Sequence, residues 1–381
     1  MNKNQQIKVG IFSFFSGAGF LDLGFDTTEG FETLFVNEFH EPFMEIYKAS
    51  RKELKISEPI FGYSTEDICS FLENGQSQSL SNNIQRAKDN FDLIGFIGGP
   101  PCPDFSVGGK NRGSEGENGR LSATYIELIV QNQPDFFLFE NVKGLYRTKK
   151  HKAFFEEMKN KLIVNGYHLT EKLINAIEFG APQDRERIIL IGFKHKTLKD
   201  FKVKLNSSST LESFDWNSKL LYNSEEVLSQ NWPTQELFDE DSERPLPKGI
   251  NKKLTVQYWF DRNDVLNHPN SIHYFQPRAG LPKFQSIQEG DDLKKSYKRL
   301  HRWRYSPTAA YGNNEVHLHP YKARRISAAE ALAIQSLPKE FVIPENISLT
   351  NMFKTIGNGV PYLASKGLAE TIRHFIETFK N

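Results

Sequence analysis

Cysteine is scarce in this chain of 381 residues, which contains only Cys69 and Cys102. Two cysteines this far apart exclude a disulfide framework and a cysteine-rich zinc site, and they are typical of a protein from a reducing compartment. Long apolar runs are also lacking, so no segment is expected to span a membrane. The first residues, MNKNQQIKVGIF, do not have the apolar core of a signal peptide. A cytoplasmic protein is therefore expected.

An excess of either charge is lacking too, since the formal net charge is +1. The distribution is nevertheless uneven, because residues 251–325 contain 14 Lys or Arg against 6 Asp or Glu. Aromatic residues such as Trp259 and Trp303 lie among these cations. Basic residues interleaved with aromatic residues are typical of a surface that binds a phosphate backbone and unstacked bases. A solvated charged face would give the same pattern.

Apolar strand patterns alternate with helical patterns from the N-terminus to about residue 195. This alternation predicts an α/β protein with a doubly wound sheet. Residues 206–250 are rich in Ser, Asn, Pro and acidic residues, which predicts irregular structure. The stretch 324–338 predicts a helix that starts at Arg324, with Ser327 as N-cap and Glu330 completing a capping box. A C-terminal helix is predicted over residues 362–378.

The stretch 92–110, DLIGFIGGPPCPDFSVGGK, contains the first candidate catalytic residue. Its apolar run, Leu93 to Ile97, predicts a buried strand that the following glycines and prolines end. Cys102 then stands just beyond the carboxyl end of this strand, where open α/β sheets bind their ligands. The Gly-rich, charged residues 107–120 predict a long loop. Cys102 is therefore a candidate nucleophile at the root of a closing loop, and a small buried apolar cysteine is the alternative.

Three further strand ends predict a site for a nucleotide-like cofactor. The glycine turn at residues 15–19 follows the first predicted strand, 7–15, and would let a ligand approach the backbone. Glu38 follows the second strand, 31–36, where an acid can accept hydrogen bonds from ribose hydroxyls. Asp67 follows a short strand, 60–63, and could accept from an adenine amino group. A tight turn and two helix-capping acids are the alternatives.

Two more strand ends supply candidate catalytic groups. Glu140 directly follows the very apolar strand 134–139, so desolvation should disfavour its ionised form, which suits a general acid. Helix capping is the alternative. Arg185 and Arg187 alternate on one face of the approach to the last strand, 188–193, and would share an anionic or carbonyl target. A surface ion-pair ladder with Glu186 is the alternative for these arginines.

Taken in order, these blocks resemble the cytosine-5 DNA methyltransferases of the prokaryotic restriction–modification type. The matching blocks are FSGAG, NE at 37–38, GGPPCPDFS, FENV, QDRER, RRISAAEALAIQSLP and IGNGVP, which lie between residues 12 and 369. The resemblance implies a Rossmann-like mixed sheet of the S-adenosylmethionine-dependent methyltransferase fold, with a smaller, irregular DNA-recognition domain. It implies a catalytic domain of residues 1–195 plus 346–381 and a target-recognition domain of residues 196–345. It also implies a monomer acting on double-stranded DNA, with no metal.

The resemblance further implies roles for individual residues. Cys102 matches the nucleophile that adds to C6 of a flipped-out cytosine, Glu140 matches the acid that holds N3, and Arg185 and Arg187 match the pair beside the base. Ser106, Gly108, Lys110 and Arg112 fall on the loop that closes on DNA. The S-adenosylmethionine pocket is expected to be formed by Phe15, Ser16, Gly17, Ala18, Gly19, Glu38, Phe39, Asp67, Ile68, Pro101, Leu121, Asn358 and Val360.

Some positions depart from the family pattern, namely Pro103 where Gln is usual, Gly108-Gly109 where a small polar residue is common, and ISAAEAL where a Thr and an Arg-Glu pair are typical. Three alternatives follow. A tRNA cytosine-5 methyltransferase has the same fold, but its Cys-Phe-Thr tripeptide is absent here. A catalytically inactive DNA-binding relative is disfavoured by Cys102, Glu140 and Arg187. A nicotinamide-dependent oxidoreductase is disfavoured because GAGF lacks the third glycine of its fingerprint. The target DNA sequence cannot be deduced from side-chain spacing.

Overall fold

The computed structural model describes residues 6–101, 117–205, 209–294, 296–309, 311 and 315–378. Its centre is a seven-stranded sheet with the order β3-β2-β1-β4-β5-β7-β6. Neighbouring strands from β3 to β5 pair in parallel, whereas β7 runs antiparallel to both β5 and β6. The strands are β1 Val9–Phe14, β2 Phe31–Asn37, β3 Tyr63–Ser64, β4 Leu93–Gly98, β5 Phe136–Val142, β6 Tyr167–Asn175 and β7 Glu186–Lys194.

Helices cover both faces of this sheet and continue beyond it. Those before residue 201 are α1 Phe20–Asp26, α2 Glu41–Glu53, α3 Asn74–Ala87, α4 Glu117–Asn132, α5 Lys149–Val164 and α6 His195–Asp200. Those after it are α7 Ser224–Leu228, α8 Val256–Arg262, α9 Leu281–Ser286, α10 Ala328–Ile334, α11 Leu349–Asn358 and α12 Tyr362–Thr378. Between α6 and α10 the helices are short, in keeping with the irregular structure predicted for that part.

The two faces of the sheet have separate hydrophobic cores. Ile11 of β1 packs in one core with residues of α1 and α12. Its neighbour Phe12 points to the other face and packs with residues of α3, α4 and α5. Because successive side chains of a strand alternate between faces, strands buried on both sides are apolar throughout. The predicted doubly wound mixed sheet is confirmed.

A third hydrophobic core joins the start of the chain to its last third. Ala18, Phe20 and Ile46 pack there with buried residues between Val256 and Ile356. This core joins α10 and α11 to the residues that follow β1, and Phe20 packs against the ring of Phe341. The last helix, α12, crosses α1 so closely that a Cβ added at Gly24 would lie 2.1 Å from the Ser365 hydroxyl oxygen.

Several predicted boundaries were wrong. The third strand is Tyr63–Ser64 rather than 60–63, because the Gly62 amide donates to the Pro59 carbonyl and forms a turn. The capping box of Ser327 and Glu330 is confirmed, but α10 begins at Ala328, not at Arg324, because the capping residue itself lies outside the helix. Helix α11, with Ser348 as its N-cap, was not predicted. In the described ranges, no helix is long and apolar enough to cross a membrane.

Candidate active site

Two of the candidate catalytic residues, Glu140 and Arg187, lie at one edge of the sheet. Strands β4 and β5 are parallel, so their carboxyl ends meet there. Strand β7 is antiparallel to β5, so its first residues reach the same edge, and Arg187 pairs with Val142 across the two strands. This topology brings the Gly99–Pro101 stretch, Glu140 and Arg187 together from three distant parts of the sequence.

Glu140 and Arg187 form an ion pair in this edge. The Arg187 Nε atom lies 2.8 Å from Glu140 Oε1, and the two side chains are 13% and 10% exposed. Burial raises the pKa of Glu140, although the charges of Arg187 and Arg185 act in the opposite direction. The carboxyl group therefore holds a proton more readily than an exposed glutamate, which is the property required of an acid. Glu140 lies inside β5, not directly after the strand as predicted.

Gly99 leaves space for the Glu140 carboxylate beside the main chain that precedes the candidate nucleophile. A Cβ added at Gly99 would lie 2.8 Å from Glu140 Oε2, so only glycine leaves room for the carboxylate there. The side-chain amide of Asn141 makes a long contact, 3.5 Å, to the Pro100 carbonyl. Cys102 itself, with Ser106, Gly108, Lys110 and Arg112, lies outside the described residues.

Arg185 is placed differently from Arg187, although both were predicted to flank the base. It is only 1% exposed. Its Nη1 atom donates to the Ala309 carbonyl at 2.7 Å, and Nη2 donates to the Gly357 carbonyl at 2.7 Å. The terminal nitrogens of this guanidinium thus hold the main chain of two other segments. This geometry suits a positioning residue.

Two glutamines complete this arrangement and were not among the predicted site residues. Gln183 and Gln335 are both fully buried, and the Gln183 amide donates to Gln335 Oε1 at 3.2 Å. Gln183 Oε1 accepts from the Ala309 amide at 3.1 Å. Gln335 Nε2 donates to the Ile356 carbonyl. Gln183 and Arg185 of the QDRER block, together with Gln335, therefore tie residue 309 to the C-terminal end of α11. The polar Gln335 at the end of the apolar ALAI run was the available sequence signal.

The glycine turn after β1 has an unusual backbone. Phe15, Gly17 and Gly19 have φ angles of 53°, 57° and 83°. A positive φ is rare for a residue with a side chain and is found at strained functional sites. A Cβ added at Gly17 would meet no atom within 4 Å, so open space lies beside this glycine. Gly19 instead packs tightly on the ring of Tyr47.

Glu38 binds the glycine turn directly. Its Oε2 accepts from the Gly17 amide at 2.8 Å, and its Oε1 accepts from the His40 amide at 2.8 Å. Burial raises the pKa of Glu38, and the positive charge of Lys354 on α11 lowers it. The alternative prediction was that Glu38 caps the next helix. It holds in part, because the His40 amide that Glu38 binds belongs to the N-cap residue of α2. A carboxylate oxygen accepts more than one hydrogen bond, so these contacts leave capacity for a ligand.

The other predicted cofactor residues differ in their contacts and in their exposure. Asp67 Oδ1 accepts from the Cys69 amide at 2.8 Å and caps a 3-10 helix over 68–72, as its alternative interpretation predicted. Phe39 is an apolar side chain that is 67% exposed beside Glu38, which is expected of a residue that stacks on a ligand. The buried members of the set are Ser16, Ala18, Ile68 and Val360, Leu121 is half-buried, and Pro101 and Asn358 are exposed.

The fold of this chain is similar to those of solved methyltransferases. The fold is similar to that of an Escherichia coli prophage-encoded protein described as a DNA modification methyltransferase, with a TM-score of 0.65 and 21% identity over 97% of this chain and 100% of that one. It is also similar to the Entamoeba histolytica methyltransferase EhMeth, with a TM-score of 0.59 and 15% identity over 96% of this chain and 98% of that one. At these identities the likeness shows the methyltransferase fold.

The family model of C-5 cytosine-specific DNA methylase matches residues 9–374, and the chain belongs to this family. The chain is 57% identical over 375 residues to the Type II methyltransferase M.NmeDI of Neisseria meningitidis serogroup C, which covers 98% of this chain and 86% of the relative. It is 26% identical over 381 residues to the Type II methyltransferase M.MthTI of Methanothermobacter thermautotrophicus, over 97% and 99% of the two chains.

Proposed function

We propose that this protein transfers a methyl group to C5 of a cytosine in a short, specific sequence of double-stranded DNA, as the modification enzyme of a type II restriction–modification system. The observation that carries the proposal is the buried Glu140–Arg187 pair beside Gly99, at the sheet edge that leads to Cys102. Membership of the cytosine-specific DNA methylase family supports the reaction. The 57% identical Type II methyltransferase supports DNA as the substrate and disfavours the tRNA alternative.

Cys102 and Glu140 have complementary tasks in this reaction. The Cys102 thiolate forms a bond to C6 of cytosine while the Glu140 carboxyl donates a proton or hydrogen bond to N3. Electron density then accumulates at C5, which in free cytosine is a poor nucleophile. Arg187 holds the carboxyl in place and presents positive charge to the ring carbonyl oxygen. Once C5 has gained the transferred methyl group, removal of the C5 proton and release of the thiolate restore the aromatic ring.

The glycine turn and its neighbours fit S-adenosylmethionine as the methyl donor. The open space beside Gly17, the carboxylate of Glu38 and the exposed ring of Phe39 form a surface suited to a ribose and an adenine. When bound, the cofactor supplies an electrophilic methyl group. Asp67, Leu121 and Asn358 would line the remainder of this pocket, with the other residues predicted for it.

Residues 196–345 are proposed to read the DNA, with the catalytic lobe formed by residues 1–195 and 346–381. Within residues 251–325 many cations serve the fold. Arg299 is fully buried, and Arg302 pairs with the buried Glu289 at 2.9 Å. Among the residues of this stretch that the structure describes, the exposed cations that remain for phosphate contacts are Lys252, Lys253, Arg262, Arg278, Lys283 and Lys294. A monomer that acts in the cytoplasm fits this role.

Bisulfite sequencing of plasmid DNA tests the proposal. After incubation with the protein and S-adenosylmethionine, we expect conversion-resistant cytosines at one short recurring sequence. Cys102→Ala should abolish this protection while leaving DNA binding largely intact, since binding depends mainly on phosphate contacts. Protection by the variant equal to that of the wild type would refute the mechanism. Labelled methyl transfer to tRNA without protection of DNA would instead support the tRNA alternative.

A further inference from the structure

A group of cations follows the candidate acid along the chain. Between Glu140 and Glu156 the sequence contains five Lys or Arg residues and no Asp or Glu. All five side chains are exposed. They are Lys143, Arg147, Lys149, Lys150 and Lys152, which we call the α5 basic surface.

The topology places this surface at the catalytic edge of the sheet. Strand β5 ends at Val142, and the chain turns through a 3-10 helix, Lys143–Tyr146, directly into α5. Helix α5 then returns along the sheet face, so its first turn lies at the same edge as Glu140. Lys143 marks the junction, because its Nζ atom lies 2.7 Å from Glu186, the residue before Arg187. The α5 basic surface therefore lies at the same edge of the sheet as the Glu140–Arg187 pair, where the proposed function requires the cytosine to bind.

Folding alone does not account for this charge. Thr148 caps α5 by accepting from the His151 amide at 3.1 Å, and three of the cations stand in the first turn after it. Positive side chains are unfavourable at a helix N-terminus, where the macrodipole is positive. In the second half of the helix, by contrast, Lys159 lies 2.7 Å from Glu156 and 3.1 Å from Glu171. Lys149 and Lys152 of the first turn are thus placed where an external anion would compensate them.

We propose that the α5 basic surface binds the sugar–phosphate backbone of duplex DNA beside the flipped cytosine, from the side of the catalytic lobe and without reading bases. This inference rests on the proposed function, because it takes the bound polyanion to be the DNA substrate. The exposed Lys143–Glu186 pair does not oppose it, since a phosphate can displace a solvent-exposed carboxylate. The protein then contacts DNA from two sides. The α5 basic surface binds the backbone, and residues 196–345 recognise the sequence.

The test compares two triple variants of the full-length protein. In the first, Arg147, Lys149 and Lys152 are each changed to Gln. In the second, Lys8, Arg86 and Lys88 are each changed to Gln. The second set is exposed as well and belongs to the catalytic lobe, but it lies before β1 and at the end of α3, which leads to β4, at the opposite edge of the sheet. Both variants lose the same charge, so they differ only in its position.

The measurement is the affinity for a target duplex and a non-target duplex between about 50 and about 200 mM salt, by fluorescence anisotropy. Each phosphate contact contributes about −0.9 to the slope of log affinity against log salt concentration, so the first variant should have a slope shallower by about 2 to 3 on both duplexes. The second variant should keep the wild-type slope. Equal slopes for the two variants, or a wild-type slope for the first, would overturn the proposal.

Steady-state methylation of the same duplexes separates this inference from the function on which it rests. We expect the first variant to raise KM for DNA while kcat at saturating DNA stays at the wild-type value. A fall in kcat with an unchanged KM would place these residues in catalysis and overturn a backbone-binding role. If the wild type methylates no cytosine in DNA, the proposed function fails, whereas the salt dependence of binding still decides whether the surface holds a duplex.

Discussion

Asp22 on the first turn of α1 gives a prediction whose size follows from the structure. Its carboxyl group is only 1% exposed. It accepts from the Ser13 hydroxyl at 2.9 Å and from the Tyr47 hydroxyl at 2.8 Å. Burial raises the pKa of Asp22 from 3.8 to about 7, and the nearby Asp26 adds to this effect. The ionised form of Asp22 is thus disfavoured in the folded protein.

This shift makes stability depend on pH. The folded state holds the Asp22 proton more tightly than the unfolded state, so the stabilisation is full below about pH 4 and is lost as the pH rises to about 7. At about 1.4 kcal/mol per pH unit, the loss amounts to about 3 kcal/mol between pH 5 and pH 7. Asp22→Asn keeps an acceptor for the Ser13 hydroxyl and cannot ionise, so it should remove this dependence.

Urea unfolding followed by circular dichroism, at pH values from about 5 to about 8, measures the effect. The free energy of unfolding of the wild type should fall relative to that of Asp22→Asn by about 3 kcal/mol across this range. Asp89→Asn makes the same chemical change at an exposed position and should follow the wild type. A variant at Asp22 with the same pH dependence as the wild type would show that its carboxyl is ionised throughout, and the reasoning would fail.

Three further predictions concern the site itself. Glu140→Gln should lower the methylation rate by about 100-fold or more, because the amide cannot protonate N3. The affinity for S-adenosylmethionine, measured by calorimetry, should change little. A variant whose main defect is in cofactor affinity would contradict this role. Gln335→Ala leaves the Gln183 amide and the Ile356 carbonyl without their partner, so the free energy of unfolding, measured by thermal and urea unfolding, should fall by about 1–3 kcal/mol. The KM for S-adenosylmethionine should rise as well. An unchanged KM would show that this network does not support the cofactor site. Gly359→Ala places a Cβ 2.1 Å from the ring of Phe20 and should lower the free energy of unfolding by about 1–3 kcal/mol. In a Phe20→Ala background the same change should lower it little. Equal losses in both backgrounds would show that this contact is not the cause.

Much of the sheet could be predicted because its strands are short apolar runs between clear turn signals. Glu140 was found as an acid beside such a run, and the capping box at Ser327 was visible as a local pattern. Helix α11 was missed because its sequence, LTNMFKTIGN, leads into the glycines of the IGNGVP block, and these glycines favoured a loop. Its apolar residues Met352, Phe353 and Ile356 have helical spacing and were the available signal.

The contacts of Arg185 could not be predicted, because they join residues far apart in the chain. Its partners Ala309 and Gly357 lie 124 and 172 residues away, and no local pattern encodes which carbonyls a buried guanidinium will reach. The charge count of residues 251–325 was ambiguous for the same reason. Composition does not show that Arg299 is buried or that Arg302 is paired with Glu289.

The network of Gln183, Arg185 and Gln335 also has a consequence for synthesis of the protein on the ribosome. A nascent chain that ends before residue 309 contains all seven strands of the sheet, together with Glu140 and Arg187. It does not yet contain the carbonyls that hold Arg185 or the C-terminal end of α11 that Gln335 binds. The catalytic edge is therefore completed only when the last part of the chain folds back onto the first. Truncated products of interrupted translation also lack α12, which packs in the core of one sheet face, and they should be unable to modify DNA.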